Sequence, residues 1–76
     1  MKIYRGTKED KKAFVEDVLS PLMVQANTGW YGAKYVNVEG KGEYVYLYDE
    51  EGVIGSKIDV TADSITAIIV DVFRKI

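Results

Sequence analysis

An α+β architecture follows from three features of this 76-residue chain. Residues 34–60 alternate aromatic or charged with aliphatic side chains, two glycine-containing turns interrupt the alternation, and apolar residues switch to helical spacing on either side. The predicted order is (β)-α-β-β-β-α: a two-layer domain with a three-stranded antiparallel meander and both helices packed on one of its faces. The bracketed strand is an optional short one at Ile3-Tyr4. One domain, residues 1–76, is all that a chain this short can form.

Gly6 ends the first segment and Thr7 opens a helix, with Thr7 as N-cap and Asp10 three residues on. Glu9 and Asp10 suit the positive end of the helix dipole. Phe14, Val15, Val18, Leu19 and Leu22 recur at helical spacing and define a core stripe. Pro21 removes one helical hydrogen bond and clashes one turn back, which predicts a kink near Asp17–Ser20. Asn27 or Gly29 supplies the left-handed residue that stops the helix. In Gly29-Trp30-Tyr31-Gly32, Trp30 is either a lid folded onto the core or, with Tyr31, an exposed partner contact.

The sheet can be registered from its turns. Gly40-Lys41 read as a two-residue hairpin turn pairs Asn37 with Tyr44 and Val36 with Val45. Asp49-Glu50-Glu51-Gly52 read as a four-residue loop pairs Leu47 with Ile54 and Tyr46 with Gly55. Alternation then places Val36, Val38, Val45, Leu47, Ile54, Ile58 and Val60 on the helix side. Tyr35, Tyr44, Tyr46, Tyr48, Val53 and Lys57 fall on the other side, where the Tyr46 ring would cover Gly55.

Thr61 is the expected N-cap of the last helix. Ile65, Ile68, Ile69, Val72, Phe73 and Ile76 form its apolar stripe, and Val70 and Ala67 widen that stripe beyond what one sheet face needs. The α-β-β-β-α order is similar to that of the double-stranded-RNA-binding domain. That family begins its second helix with a basic cluster that grips phosphates, whereas this helix begins Thr61-Ala62-Asp63-Ser64, so the likeness is one of topology.

Composition excludes several chemistries. With no Cys and no His there is no disulfide, no Cys-His or Ser-His nucleophile and no thiolate or imidazole metal ligand. The acidic turn Asp49-Glu50-Glu51 lacks the spaced oxygens of a calcium loop and reads as a solvated hairpin tip. Gly40-Lys41-Gly42 precedes a strand and is no phosphate loop. The expectation is therefore no cofactor, no metal and no enzymatic activity. The N-terminus has no apolar run behind its charges, and no stretch approaches membrane-spanning length, which points to the cytoplasm.

Charge is uneven. Residues 1–12 carry net +3, residues 13–33 net −2, and residues 34–60 net −3, within a total of −2. No basic stripe emerges. The candidate binding residues are Tyr35, Tyr44, Tyr46, Tyr48 and Lys57 on the sheet, with Trp30 and Tyr31 in the preceding loop. The bland reading is a solvated strand face stiffened by cross-strand aromatic pairs. The functional reading is a protein-protein interaction surface whose occupant is a second copy, giving a homodimer, or a different protein. The rival reading is a nucleic-acid-associated module using the same tyrosines with Lys34, Lys57 and the basic N-terminus. A weaker one is a small acidic inhibitor of the kind mobile elements carry.

Overall fold

Thr7 opens the first helix as expected. In a computed structural model of the chain, which describes residues 3–76, its hydroxyl accepts the Asp10 N–H at 3.1 Å. Ile3 and Tyr4 form no strand. The Tyr4 ring instead meets the Phe14 ring edge-on, 5.2 Å between centroids. Lys2, counted above in the basic N-terminal segment, lies outside the described residues.

The helical arm runs as α1 (Lys8–Phe14), a π-helical turn (Val15–Leu19) and α2 (Ser20–Gln25). The wide turn sits where Pro21 predicts a disturbance. Pro21 has no N–H for the Asp17 carbonyl, its ring crowds that turn, and the helix widens there so that Ser20 N–H bonds to Val15 O. An extra residue in one turn rotates everything after it by about 100°. The core stripe therefore continues through Leu19 and Met23, while Val18 and Leu22, expected inside, are 38% and 37% exposed. Asn27 and Gly29 both adopt positive φ, 53° and 90°, where the arm ends.

Strands β1 (Gly32–Val38), β2 (Gly42–Tyr48) and β3 (Ile54–Asp59) form an antiparallel sheet in the order β1-β2-β3. Both hairpins depart from the expected register. The first loop has three residues, Glu39-Gly40-Lys41, with Lys41 N–H on Val38 O at 3.0 Å and Gly40 at φ 78°. Val38 then pairs with Gly42, Val36 with Tyr44 and Tyr35 with Val45. One residue of slip turns β1 over. Ala33 and Tyr35 face the helices and are buried, whereas Val36 and Val38 join the outer face.

In the second hairpin, Asp49 Oδ1 accepts the Glu51 and Val53 N–H groups at 2.9 and 3.0 Å, and Tyr48 pairs with Ile54. Leu47 pairs with Ser56, so β3 carries one extra residue at Gly55, and Ile54, expected in the core, is exposed. Tyr46 consequently lies opposite Lys57.

Helix α3 (Ile65–Arg74) begins at Ser64, not Thr61: the Ser64 hydroxyl accepts the Ala67 N–H at 3.1 Å. Thr61 is occupied elsewhere, accepting the Glu43 N–H at 3.0 Å. Ile68 and Val72 of α3 join Phe14, Val15, Leu19 and Met23 of the arm over Val45, Leu47, Ile58 and Val60 of the sheet side. Among the described residues no helix is long and apolar enough to cross a membrane.

Candidate interaction surface

Pairing across the meander orders the outer face into rows. Lys34, Tyr46 and Lys57 form one, Val36, Tyr44 and Asp59 the next, and Gly32, Tyr48 and Ile54 a third. The arm and α3 lie on the opposite side. Three tyrosines thus run down the central strand, each half-buried by its neighbours. Lys57 is exposed and holds its ammonium 4.2 Å from the Tyr44 ring centroid, a cation–π contact. Asp59 Oδ1 accepts the Thr61 N–H at 2.9 Å, and its hydrogen bonding to Thr61, then Lys57, hold the carboxyl below its ordinary value.

The column is tied down at one end. Tyr48 crosses Gly32, where a Cβ would overlap the phenol, and its hydroxyl meets Ser20 Oγ at 3.2 Å. Ser20 Oγ also accepts the Ala33 N–H at 3.0 Å. Tyr48 therefore clamps α2 to the edge of the sheet, and Tyr44 and Tyr46 remain the open rings. The Trp30-Tyr31 pair divides between the two readings weighed for it. Trp30 packs against the core and its ring lies on Gly55, where a Cβ would overlap it. Tyr31 is 54% exposed and leans against Tyr48 at 6.4 Å, extending the aromatic surface past the strand end.

Tyr35 does not belong to this surface. It is 6% exposed on the helix side, and its hydroxyl donates to Glu43 Oε1. Lys11 Nζ reaches the same oxygen at 2.9 Å, and Ala62 N–H donates to Glu43 Oε2 at 2.9 Å. Burial alone raises a carboxyl, but the donors from Tyr35, Ala62 and Lys11 outweigh it and hold Glu43 at about 2. Burial and the Glu43 carboxylate push the Tyr35 hydroxyl up. The buried cluster joins α1, β1, β2 and the turn before α3. Sequence reasoning missed it, although parity placed Glu43 on the same face as Val45 and Leu47, where a carboxylate needs partners.

A second polar feature borders it. Burial, then Asp71, raise the Asp63 carboxyl to about 6, and Asp63 Oδ2 is enclosed without a hydrogen-bond partner. Among the described residues no group of three or more acidic side chains is placed to hold a metal ion. Comparison with protein-family models, curated proteins and solved structures returned no match to this chain.

Proposed function

We propose that the chain is a small non-enzymatic interaction domain that binds a partner protein through the outer face of its sheet. The observation that carries this reading is the aromatic column on the outer face of the sheet: the half-exposed Tyr44 and Tyr46, then Tyr48 tied to Ser20, with the exposed Tyr31 beyond it. Tyrosine offers large contact area at small entropic cost and keeps a hydroxyl for a wet rim. The hydroxyls and Lys34 and Lys57 suit a separable contact with a different protein better than a permanent apolar seam. The non-enzymatic part rests on chemistry: the Glu43 carboxylate is saturated by donors, and the Tyr35 hydroxyl is made harder to ionise.

Affinity capture from the source cell with wild type and a Tyr44→Ser/Tyr46→Ser variant tests it, followed by reconstitution with the purified captured protein. A partner that binds wild type and is lost by the folded double variant supports the reading. Equal binding by both overturns it.

One observation favours the nucleic-acid reading as a second. The acids outnumber the lysines along residues 34–60, but Glu43 is turned inward and Glu39 and Asp49–Glu51 sit at the loops. The face itself holds Lys34 and Lys57 against Asp59. A single-stranded oligonucleotide titrated at two salt concentrations decides, since phosphate contacts weaken steeply with salt.

A further inference from the structure

Where the helical arm ends beside the tip of the second hairpin, the chain forms a cavity of about 230 Å³. Met23 and Val24 of α2 line it with Asn27, Trp30 and Tyr31 of the following loop and Glu50 of the hairpin tip. A second cavity, of about 370 Å³, is lined by Asp49, Glu50 and Glu51 and shares Gly29 and Glu50 with the first, so the two adjoin. Thr28 fixes the loop between them: its hydroxyl donates to Met23 O at 2.7 Å and accepts the Trp30 N–H at 3.2 Å. Asp49 is committed to its own turn through Oδ1, whereas the exposed Glu50 and Glu51 carboxylates make no hydrogen bond or ion pair among the described residues. Among those residues no lysine or arginine lines either cavity.

We propose that the aromatic cavity is a binding site for an organic cation carrying a quaternary ammonium group. An aromatic ring is negative on its face and attracts a cation held within about 6 Å of its centre. Trp30 and Tyr31 supply that attraction, and the acidic tip adds a negative field with no cation beside it to cancel it. The walls decide which cation fits. A bare ammonium is strongly hydrated and brings three N–H donors, which an indole, a thioether and a valine would leave unpaired. A quaternary ammonium has no N–H, and its methyl groups bury apolar surface on the same walls. A metal ion needs several oxygen ligands, and among the described residues no three acidic side chains are grouped to hold one. An anion would meet only carboxylates. The site stands apart from the sheet-face reading, with which it shares Tyr31 alone. A trimethylated lysine of another protein and a free molecule such as choline carry the same group.

Trp30 is the only tryptophan of the chain, so its emission reports on the cavity directly. Choline titrated into the wild type, against sodium chloride at equal ionic strength, should change that emission saturably in the millimolar range. The uncharged carbon isostere of choline should bind at least about 3-fold more weakly, the size of an exposed cation–π contact. Glu50→Gln and Tyr31→Leu, both at exposed positions, should each weaken choline binding about 3-fold, and Tyr44→Ser/Tyr46→Ser should leave it unchanged. Circular dichroism checks each fold, and either single variant decides if the other unfolds. A trimethyl-lysine peptide separates the two sources. Binding about 10-fold tighter than choline assigns the site to a protein side chain, equal binding assigns it to the small molecule, and both support the proposal. Emission that follows ionic strength alone, an uncharged isostere that binds as well as choline, or wild-type affinity in both Glu50→Gln and Tyr31→Leu overturns it. So does a loss confined to the Tyr44→Ser/Tyr46→Ser variant, which would place the cation on the sheet.

Discussion

Replacing Glu43 by Gln should cost this domain a large share of its stability. The carboxylate accepts from the Tyr35 hydroxyl, the Lys11 ammonium and the Ala62 N–H, all in a buried setting. Gln keeps the shape but has one acceptor oxygen for three donors, and it leaves Lys11, 7% exposed, without its counter-charge. Breaking a buried pair from one side costs about 3–5 kcal/mol. The titration gives a similar size: a carboxyl lowered from 4.5 to about 2 stores about 3 kcal/mol. Because the folded value is the lower one, that stability is present above pH 4.5 and is lost as pH falls toward 2. Urea unfolding followed by Trp30 fluorescence measures both effects. Wild type should lose stability steeply between pH 4.5 and 2.5, and Glu43→Gln should be weaker at pH 7 with a flatter slope. A loss below about 1 kcal/mol, or parallel pH curves, would refute the assignment of a stabilising role to the buried cluster. Lys11→Met combined with Glu43→Gln should cost less than the two single changes together, since each single change strands the other's partner.

Asp63 should behave in the opposite sense. Its folded value of about 6 lies above the ordinary 3.8, so the fold gains as pH drops through 6 toward 4 and carries a penalty at neutrality. Asp63→Asn should raise stability at pH 7 by about 1 kcal/mol and flatten the profile between pH 4 and 6, read by thermal unfolding in a pH series. Gly55→Ala should cost about 1–3 kcal/mol and change Trp30 emission, because the new methyl displaces the indole that seals the core. Unchanged emission would show that the ring is not seated there. Gly40→Ala, at φ 78° with open space around it, should cost about 1 kcal/mol through backbone strain alone, measured by the same urea titration.

The elements were legible because their signals are local. Thr7 capped its helix, the disturbance fell before Pro21, and the meander and final helix lie where period 2 gives way to helical spacing. Register was not legible, because it depends on one-residue choices that local pattern leaves open. In β1, one parity offers Ala33, Tyr35 and Asn37 and the other Lys34, Val36 and Val38, and neither is plainly the buried set. The choice falls to Tyr35, whose hydroxyl reaches Glu43 only when the ring points inward. The bulge at Gly55 likewise packs against a residue far away in sequence, Trp30. Of the candidate residues, Tyr44, Tyr46, Tyr48, Lys57 and Tyr31 share one surface, while Tyr35 and Trp30 belong to the packing beneath.

The same two irregularities that upset the expected pattern also shape what the molecule exposes. The π-helical turn ahead of Pro21 rotates Val18 and Leu22 out of the core, and the slip in the first hairpin exchanges Tyr35 for Val36 and Val38 on the outer face. The outer face of the sheet thus mixes Val36, Val38 and Ile54 with its tyrosines and lysines, while the helix side exposes Val18 and Leu22. A straight helix would turn Val18 and Leu22 toward the core instead. Pro21→Ala, which restores the missing N–H, therefore tests the link between backbone and surface. If the wide turn is held by proline alone, the arm should regain regular α-helical bonding and Leu22 should become protected, seen in amide exchange and in methyl contacts by NMR. Persistence of the wide turn would mean instead that core packing of Leu19 and Met23 sets it, and that the exposed flank is fixed by tertiary fit.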